Sequence, residues 1–170
     1  MAPPLPPPQA AETPGLSRMV GRLARVLGDQ AFPTGERARL RRWSPGAPPS
    51  LAFLRFGFSE LPEGWQANTE DWEALVAGLA LMYPQGHDPG RPAGRALAEA
   101  GYAEARLERL LAADGDTLRT LLLRAARFLR AKNASCSWID FAFLLGLGGD
   151  PEAARRRLAG DYFRALSAER

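Results

Sequence analysis

The sequence predicts an all-α fold, a compact bundle of about eight or nine helices, and three observations carry that expectation. The first is periodicity. From Gly94 to Lys132 apolar residues recur at helical spacing. Projected at about 100° per residue, Leu118, Leu121, Leu122, Ala125, Ala126, Phe128 and Leu129 gather on one side of the stretch Asp116 to Lys132. The second is punctuation. Thr13-Pro14, Thr34, Asn68 with Asp71, and Asp150-Pro151 are helix-start signals, and Gly28 and Gly101 are stop signals. The third is an absence: no stretch alternates apolar and polar residues at strand spacing, and no segment repeats.

The chain has 170 residues, 46% hydrophobic and 24% charged, which suits one soluble globular domain with a real core. The opening MAPPLPPPQAAETPG is proline-dense and lacks the basic and apolar regions of a signal peptide. It reads as a disordered tail over residues 1–14, followed by a single helical domain over 15–170 with a seam at 84–92. The longest apolar run, Phe141 to Gly149, is far short of a membrane span, so the expected location is cytoplasmic and no membrane is expected as a partner.

Taken in order, the first helix is expected over Gly15 to Leu27, with Met19, Leu23, Val26 and Leu27 inward and Arg18, Arg22 and Arg25 outward. A second opens at Thr34 in TGERARLRRW and turns Leu40 and Trp43 inward. Ser44 to Ser50 is a proline-broken loop. SLAFLRFGF is too short for periodicity to decide between helix and strand, and the helical context favours helix. Leu61 to Asn68 is a loop holding Trp65. Thr69 to Tyr83 is a helix burying Trp72, Leu75, Val76, Leu79 and Met82. GRALAEAG makes a short helix, and Ala103 to Ala113 the next, with Leu107, Leu110 and Leu111 inward. Asp114 to Asp116 turns the chain into the arginine-rich helix. Trp138 to Leu147 is apolar and buried, and the last helix carries Gly160 at a cost of about 1 kcal/mol relative to alanine.

The positive charge has a pattern. Net charge is only +3, but Lys132 is the sole lysine, so nearly all cations are arginine forks suited to phosphate. A pI near 9.6 points the same way. Arg119, Arg124, Arg127 and Arg130 fan across roughly 140° of one helix, with only Leu123 among them. Asp116 is the only acid of that helix, which weakens the reading of a merely solvated face. Arg37, Arg41 and Arg42 form a second cluster, and Arg95 and Arg106 complete the candidate nucleic-acid-binding set, with Glu99, Glu104 and Glu108 close enough for ion pairs. Arg155, Arg156 and Arg157 diverge around a helix, and at least one is expected to pair with Glu152 or Asp161.

The order of segments resembles the small subunit, or CasB family, of the type I-E CRISPR surveillance complex Cascade. The pieces are GERARLRRW, WEALVAGLALMYP, GRALAEAG, ARLERLLAAD, TLLLRAARFLRAK, the turn Trp138-Ile139-Asp140, and AGDYFRAL. The resemblance covers Thr34 to Leu166. It departs at Leu158, where the family often has tryptophan, and at Phe163, where tyrosine is common. It implies an all-helical protein without a catalytic centre, working in antiviral defence. Its implied partners are the backbone and large subunits, a second copy of itself, the guide RNA, and the target and displaced DNA strands. Such complexes read sequence by base pairing while protein charges steady the strands.

The remaining chemistry-bearing residues point to no catalysis, metal or cofactor. One cysteine, Cys136, and one histidine, His87, cannot build a metal centre. His87 reads as a loop bystander and Cys136 as a half-buried thiol. Asp140 and Asp161 have no partner carboxylate at a spacing for acid–base work. Trp43, Trp72 and Trp138 read as core, with Trp65 open between core and a stacking platform. Two functions stay in view: a non-catalytic nucleic-acid-binding subunit of an RNA-guided complex, and a helical adaptor whose arginines meet acidic protein surfaces.

Overall fold

The computed structural model describes residues 14–170. All but the last residue of the expected tail therefore lies outside the described residues. Among them the chain forms nine α-helices and no sheet: α1 (Pro14–Gly28), α2 (Thr34–Arg41), α3 (Leu51–Glu60), α4 (Thr69–Met82), α5 (Ala93–Glu99), α6 (Glu104–Ala112), α7 (Gly115–Ala131), α8 (Trp138–Leu144) and α9 (Pro151–Ala168). A short 3-10 turn, Trp65–Asn68, precedes α4. The ambiguous SLAFLRFGF is helical, and Ser50 starts it by accepting the Phe53 N–H on its hydroxyl at 3.1 Å.

Helix α4 is the hub. Every residue from Trp72 to Ala80 is buried, Glu73 included, so the helix is covered all round rather than along one stripe. It is enclosed by α1, α2, α7 and α8. Gly78 makes this enclosure work, because a Cβ there would lie 2.3 Å from the Trp138 ring. Trp138, wholly buried on α8, fills the notch that Gly78 leaves.

The second joint is α5 on α9. A Cβ on Gly94 would sit 2.1 Å from the Leu158 carbonyl oxygen and 2.9 Å from the Tyr162 nitrogen, so the two helices meet backbone to backbone. Tyr162 locks the crossing by donating its hydroxyl to the Tyr102 carbonyl at 2.6 Å. Gly101, at φ +84°, ends α5 and lets the Tyr102 N–H bond the Leu97 carbonyl at 2.9 Å. Helix α8 touches α1, α4, α5 and α9, and one contiguous buried cluster runs through all of them.

Several local expectations need correction. In α1 the fully buried residues are Leu16, Val20, Leu23 and Leu27, with Met19 and Val26 only partly covered. Gly28 is the last helical residue and not a left-handed stop. Thr34 lies inside α2, Pro33 holding the cap position, and Asn68 caps α4 without a side-chain bond. Leu123 is 2% exposed, because α7 is covered by both α4 and α6, which widens its apolar arc. Cys136 is fully buried, and its burial pushes the thiol pKa well up. Trp65 is core: it lies on Gly57, whose Cβ would be 2.8 Å away, and meets Phe53 edge-on at 5.5 Å.

His87 is no bystander. Its Nδ1 accepts the Trp138 N–H at 2.9 Å, and the adjacent Asp88 N–H donates to the Cys136 carbonyl at 3.0 Å. Burial lowers the His87 pKa, which keeps the ring neutral and Nδ1 free to accept. This pins the 84–92 segment to the start of α8. Asp140 adds to the junction by accepting the Ala93 N–H at 2.8 Å, the first amide of α5.

Candidate nucleic-acid interface

The arginines divide into three populations, and the first follows from where helices end. The last carbonyls of an α-helix have no intrahelical donor and carry the negative end of its dipole. Four helix C-ends each receive an arginine from another element. Arg37 donates Nε to the Leu27 carbonyl at 2.9 Å and Nη2 to the Asp29 carbonyl at 2.8 Å, closing α1. Arg22 donates to the Glu60 carbonyl at the end of α3. Arg130 donates Nε to the Tyr83 carbonyl after α4 at 2.9 Å. Arg155 donates to the Ala113 carbonyl after α6 at 3.0 Å and also pairs with Glu152, as its spacing predicted.

Arg37 is therefore removed from the candidate set. It is 5% exposed, and its guanidinium lies 3.8 Å from the Tyr83 ring centroid. The turn at Asp29–Phe32 folds α2 back so that Arg37, one turn before the exposed Arg41, points at the end of α1. Arg119 is corrected for a different reason. Its neighbours in the sequence held too few acids to pair it, but the start of α4 brings two more. Arg119 reaches Asp71 at 2.8 Å, Glu70 at 3.0 Å and Asp116 at 2.8 Å, and only 14% of its side chain is exposed. Arg95 pairs with Glu99 at 2.7 Å, and Arg91 takes the other oxygen of that carboxylate at the same distance. Arg95 keeps 58% of its side chain exposed.

Arg41, Arg42, Arg106, Arg124 and Arg127 are exposed and make no ion pair among the described residues. Those on α7 do not share one face. Arg124 turns toward α6, where Tyr102, Arg106, Arg109, Leu121 and Arg124 line a cavity of about 290 Å³. Arg127 and Arg130 turn toward the end of α4, where they line a second basin of about 610 Å³ with Leu81, Pro84, Gln85 and Asn133. The helix forms the ridge between them. Gln85 also borders a groove of about 870 Å³ edged by Arg18 and Arg25 of α1.

The candidate set missed Arg109. Glu104 and Glu108 were weighed only against Arg106, and only the packing of α6 on α7 brings Arg106, Arg109 and Arg124 to one cavity. Arg18 and Arg25 were visible as an outward row on α1, but nothing in the sequence placed that row beside Gln85.

Among the described residues no three His, Cys, Asp or Glu side chains come together as a metal site, and no helix is long and apolar enough to cross a membrane. What the two basins offer is guanidinium charge without a described acid partner, a chemistry suited to anionic groups. No curated protein matches the chain. The family model described as CRISPR-associated protein Cse2 matches residues 36–163, well over half of it. The chain belongs to that family, the small subunits of the type I-E CRISPR Cascade complex.

Proposed function

We propose that this subunit is a non-catalytic nucleic-acid clamp that acts in the cytoplasm in antiviral defence. It neutralises strand phosphates of the guide RNA, the target strand and the displaced strand through the arginines on both flanks of α7. The single observation that carries the reading is the pair of basins. Arg106, Arg109 and Arg124 on one flank and Arg127 and Arg130 on the other face open cavities without a described acid partner. Charge so placed supplies affinity and salt dependence but no sequence preference, which base pairing supplies in an RNA-guided complex. Its protein partners are the backbone and large subunits and a second copy of the chain.

The experiment is binding of matched target DNA by the assembled complex as a function of salt. Changing Arg124, Arg127 and Arg130 together to alanine leaves helicity intact, because the buried side of α7 is untouched and alanine is the better helix former. Affinity should fall by a similar factor for every matched guide and target. The slope of log affinity against log salt should flatten by roughly 0.7 to 1 for each phosphate that is no longer neutralised. An unchanged slope sinks the nucleic-acid reading of α7.

The adaptor reading keeps one observation of its own. Leu51 and Phe58, two turns apart on α3, are 72% and 73% exposed. They line neither basin and suit a protein neighbour within the complex. Changing both to serine should weaken assembly while leaving the salt slope of DNA binding alone.

A further inference from the structure

The cavity between α6 and α7 is built differently from the basin across the ridge. Three arginine side chains from two helices line a cavity of about 290 Å³, a space at the bottom of the range for small-molecule sites. Its fourth wall is Tyr102, only 5% exposed. That wall is fixed twice: Phe128 meets its ring edge-on at 5.1 Å, and its carbonyl accepts the Tyr162 hydroxyl. Leu121 makes the remaining wall apolar. Glu104 and Glu108, the acids of α6, are exposed and make no ion pair with these arginines. Three like-charged side chains thus line one small cavity, and none of them is ion-paired to a described carboxylate. Such an arrangement is stabilised by an anion that accepts several hydrogen bonds at once.

We propose that this cavity is a discrete phosphate site, which seats a single phosphate group between Arg106, Arg109 and Arg124 and leaves sugar and base outside. Tyr102 supplies a neutral wall, and the arginine forks supply the donors. The phosphate comes from the backbone of a bound strand, and in that respect the inference rests on the nucleic-acid reading above. The pocket itself does not depend on it. A phosphate held at one fixed point sets the position of a strand along the subunit, whereas the wider basin with Arg127 and Arg130 only attracts it.

Pyrophosphate is the first probe, titrated into the full chain at constant ionic strength while the arginine Nε–H resonances are followed by NMR. The expected result is saturable binding that moves the signals of Arg106, Arg109 and Arg124 and leaves those of Arg41 and Arg127 in place. Arg109→Ala or Arg124→Ala should weaken it by about tenfold or more, the scale of a lost charge-assisted bond. Tyr102→Phe, which keeps the ring packing, should cost at most a few-fold. Non-saturating shifts, or a titration indifferent to Arg109→Ala and Arg124→Ala, overturn the site.

A second arm uses a short single-stranded oligonucleotide and its uncharged methylphosphonate counterpart. Wild type should prefer the charged strand by a factor that shrinks when Arg106, Arg109 and Arg124 are changed. If that preference instead depends only on Arg127 and Arg130, the pocket is refuted while the nucleic-acid function stands. If pyrophosphate saturates the pocket but no arginine variant alters oligonucleotide binding, the site stands for free phosphates and the nucleic-acid reading falls.

Discussion

The C-ends of α1, α3, α4 and α6 and the flanks of α7 use the same side chain for opposite purposes. At the helix ends arginine is consumed: Arg37 commits its donors to the carbonyls of Leu27 and Asp29 and its flat face to Tyr83. On the flanks it is left over, as with Arg124 and Arg127, exposed beside open cavities. Arg130 shows both, anchored by Nε to the Tyr83 carbonyl while still lining the second basin. An arginine's role is thus decided less by the face of its own helix than by what the neighbouring helix presents to it. A helix terminus absorbs it, an acid pairs it, and an empty flank leaves it for a ligand.

The largest effect that could break this comparison is at Arg37. Arg37→Ala leaves two carbonyls at the end of α1 without their donor and removes a buried stacked cation, which should cost about 3 kcal/mol of stability in chemical denaturation. Oligonucleotide affinity of the folded variant should be unchanged. A stable variant with weakened DNA binding would return Arg37 to the interface.

Next in size is Glu73, which sits beside the arginine-paired Asp71 on α4 but has no cation. It is 2% exposed, its Oε1 has no hydrogen-bond partner, and burial raises its pKa to about 7. A carboxyl whose folded pKa exceeds its unfolded one holds more protons when folded, so stability falls as pH rises from about 4.5 to about 7 and then levels off. Glu73→Gln should remove that slope and add about 1–3 kcal/mol above pH 7, as read from unfolding curves across pH. A pH slope retained in the variant would mean that another group is responsible.

Arg119 should come third. Its three acid partners are partly solvated, so Arg119→Ala should cost only about 1 kcal/mol, measured by thermal or urea unfolding, and should not change the salt slope of DNA binding. A flattened slope would show that Arg119 reaches a strand despite its partners. The smallest effect is expected when Arg124 and Arg127, which hold no ion pair among the described residues, become lysine together. Charge stays and the fork is removed, so stability should move by less than about 0.5 kcal/mol, with part of the DNA affinity retained. Affinity as low as that of the matching alanine variant would show that fork geometry, rather than charge, does the binding.

The helices were legible because their signals are local. Asp150-Pro151 and Gly101 mark ends within a few residues, and the apolar rows of α4 and α7 repeat often enough to be counted. The arginine roles were legible only in part, because they depend on residues far away in the chain. Arg119 and Asp71 are 48 positions apart, and Arg130 meets Tyr83 across 47. His87 looked idle for the same reason, its partner Trp138 lying 51 residues downstream. Periodicity assigned Arg37 and Arg41 to one face, correctly, but could not see that α1 ends beneath the first and not the second. Arg109 stayed hidden because a converging pocket belongs to two helices and to neither sequence alone.

Cys136 turns the His87 junction into something measurable. It is the chain's only thiol, it is fully buried, and its carbonyl is tied to Asp88 while the next-but-one residue is tied to His87. Reagents that attack thiolates will therefore find nothing to react with in the closed protein. A single cysteine introduced at an exposed site can be labelled alone, with the native thiol left in place. Conversely, the rate at which Cys136 itself becomes modified is a clock for the opening of the junction between the 84–92 segment and α8, and can be read without any engineered probe.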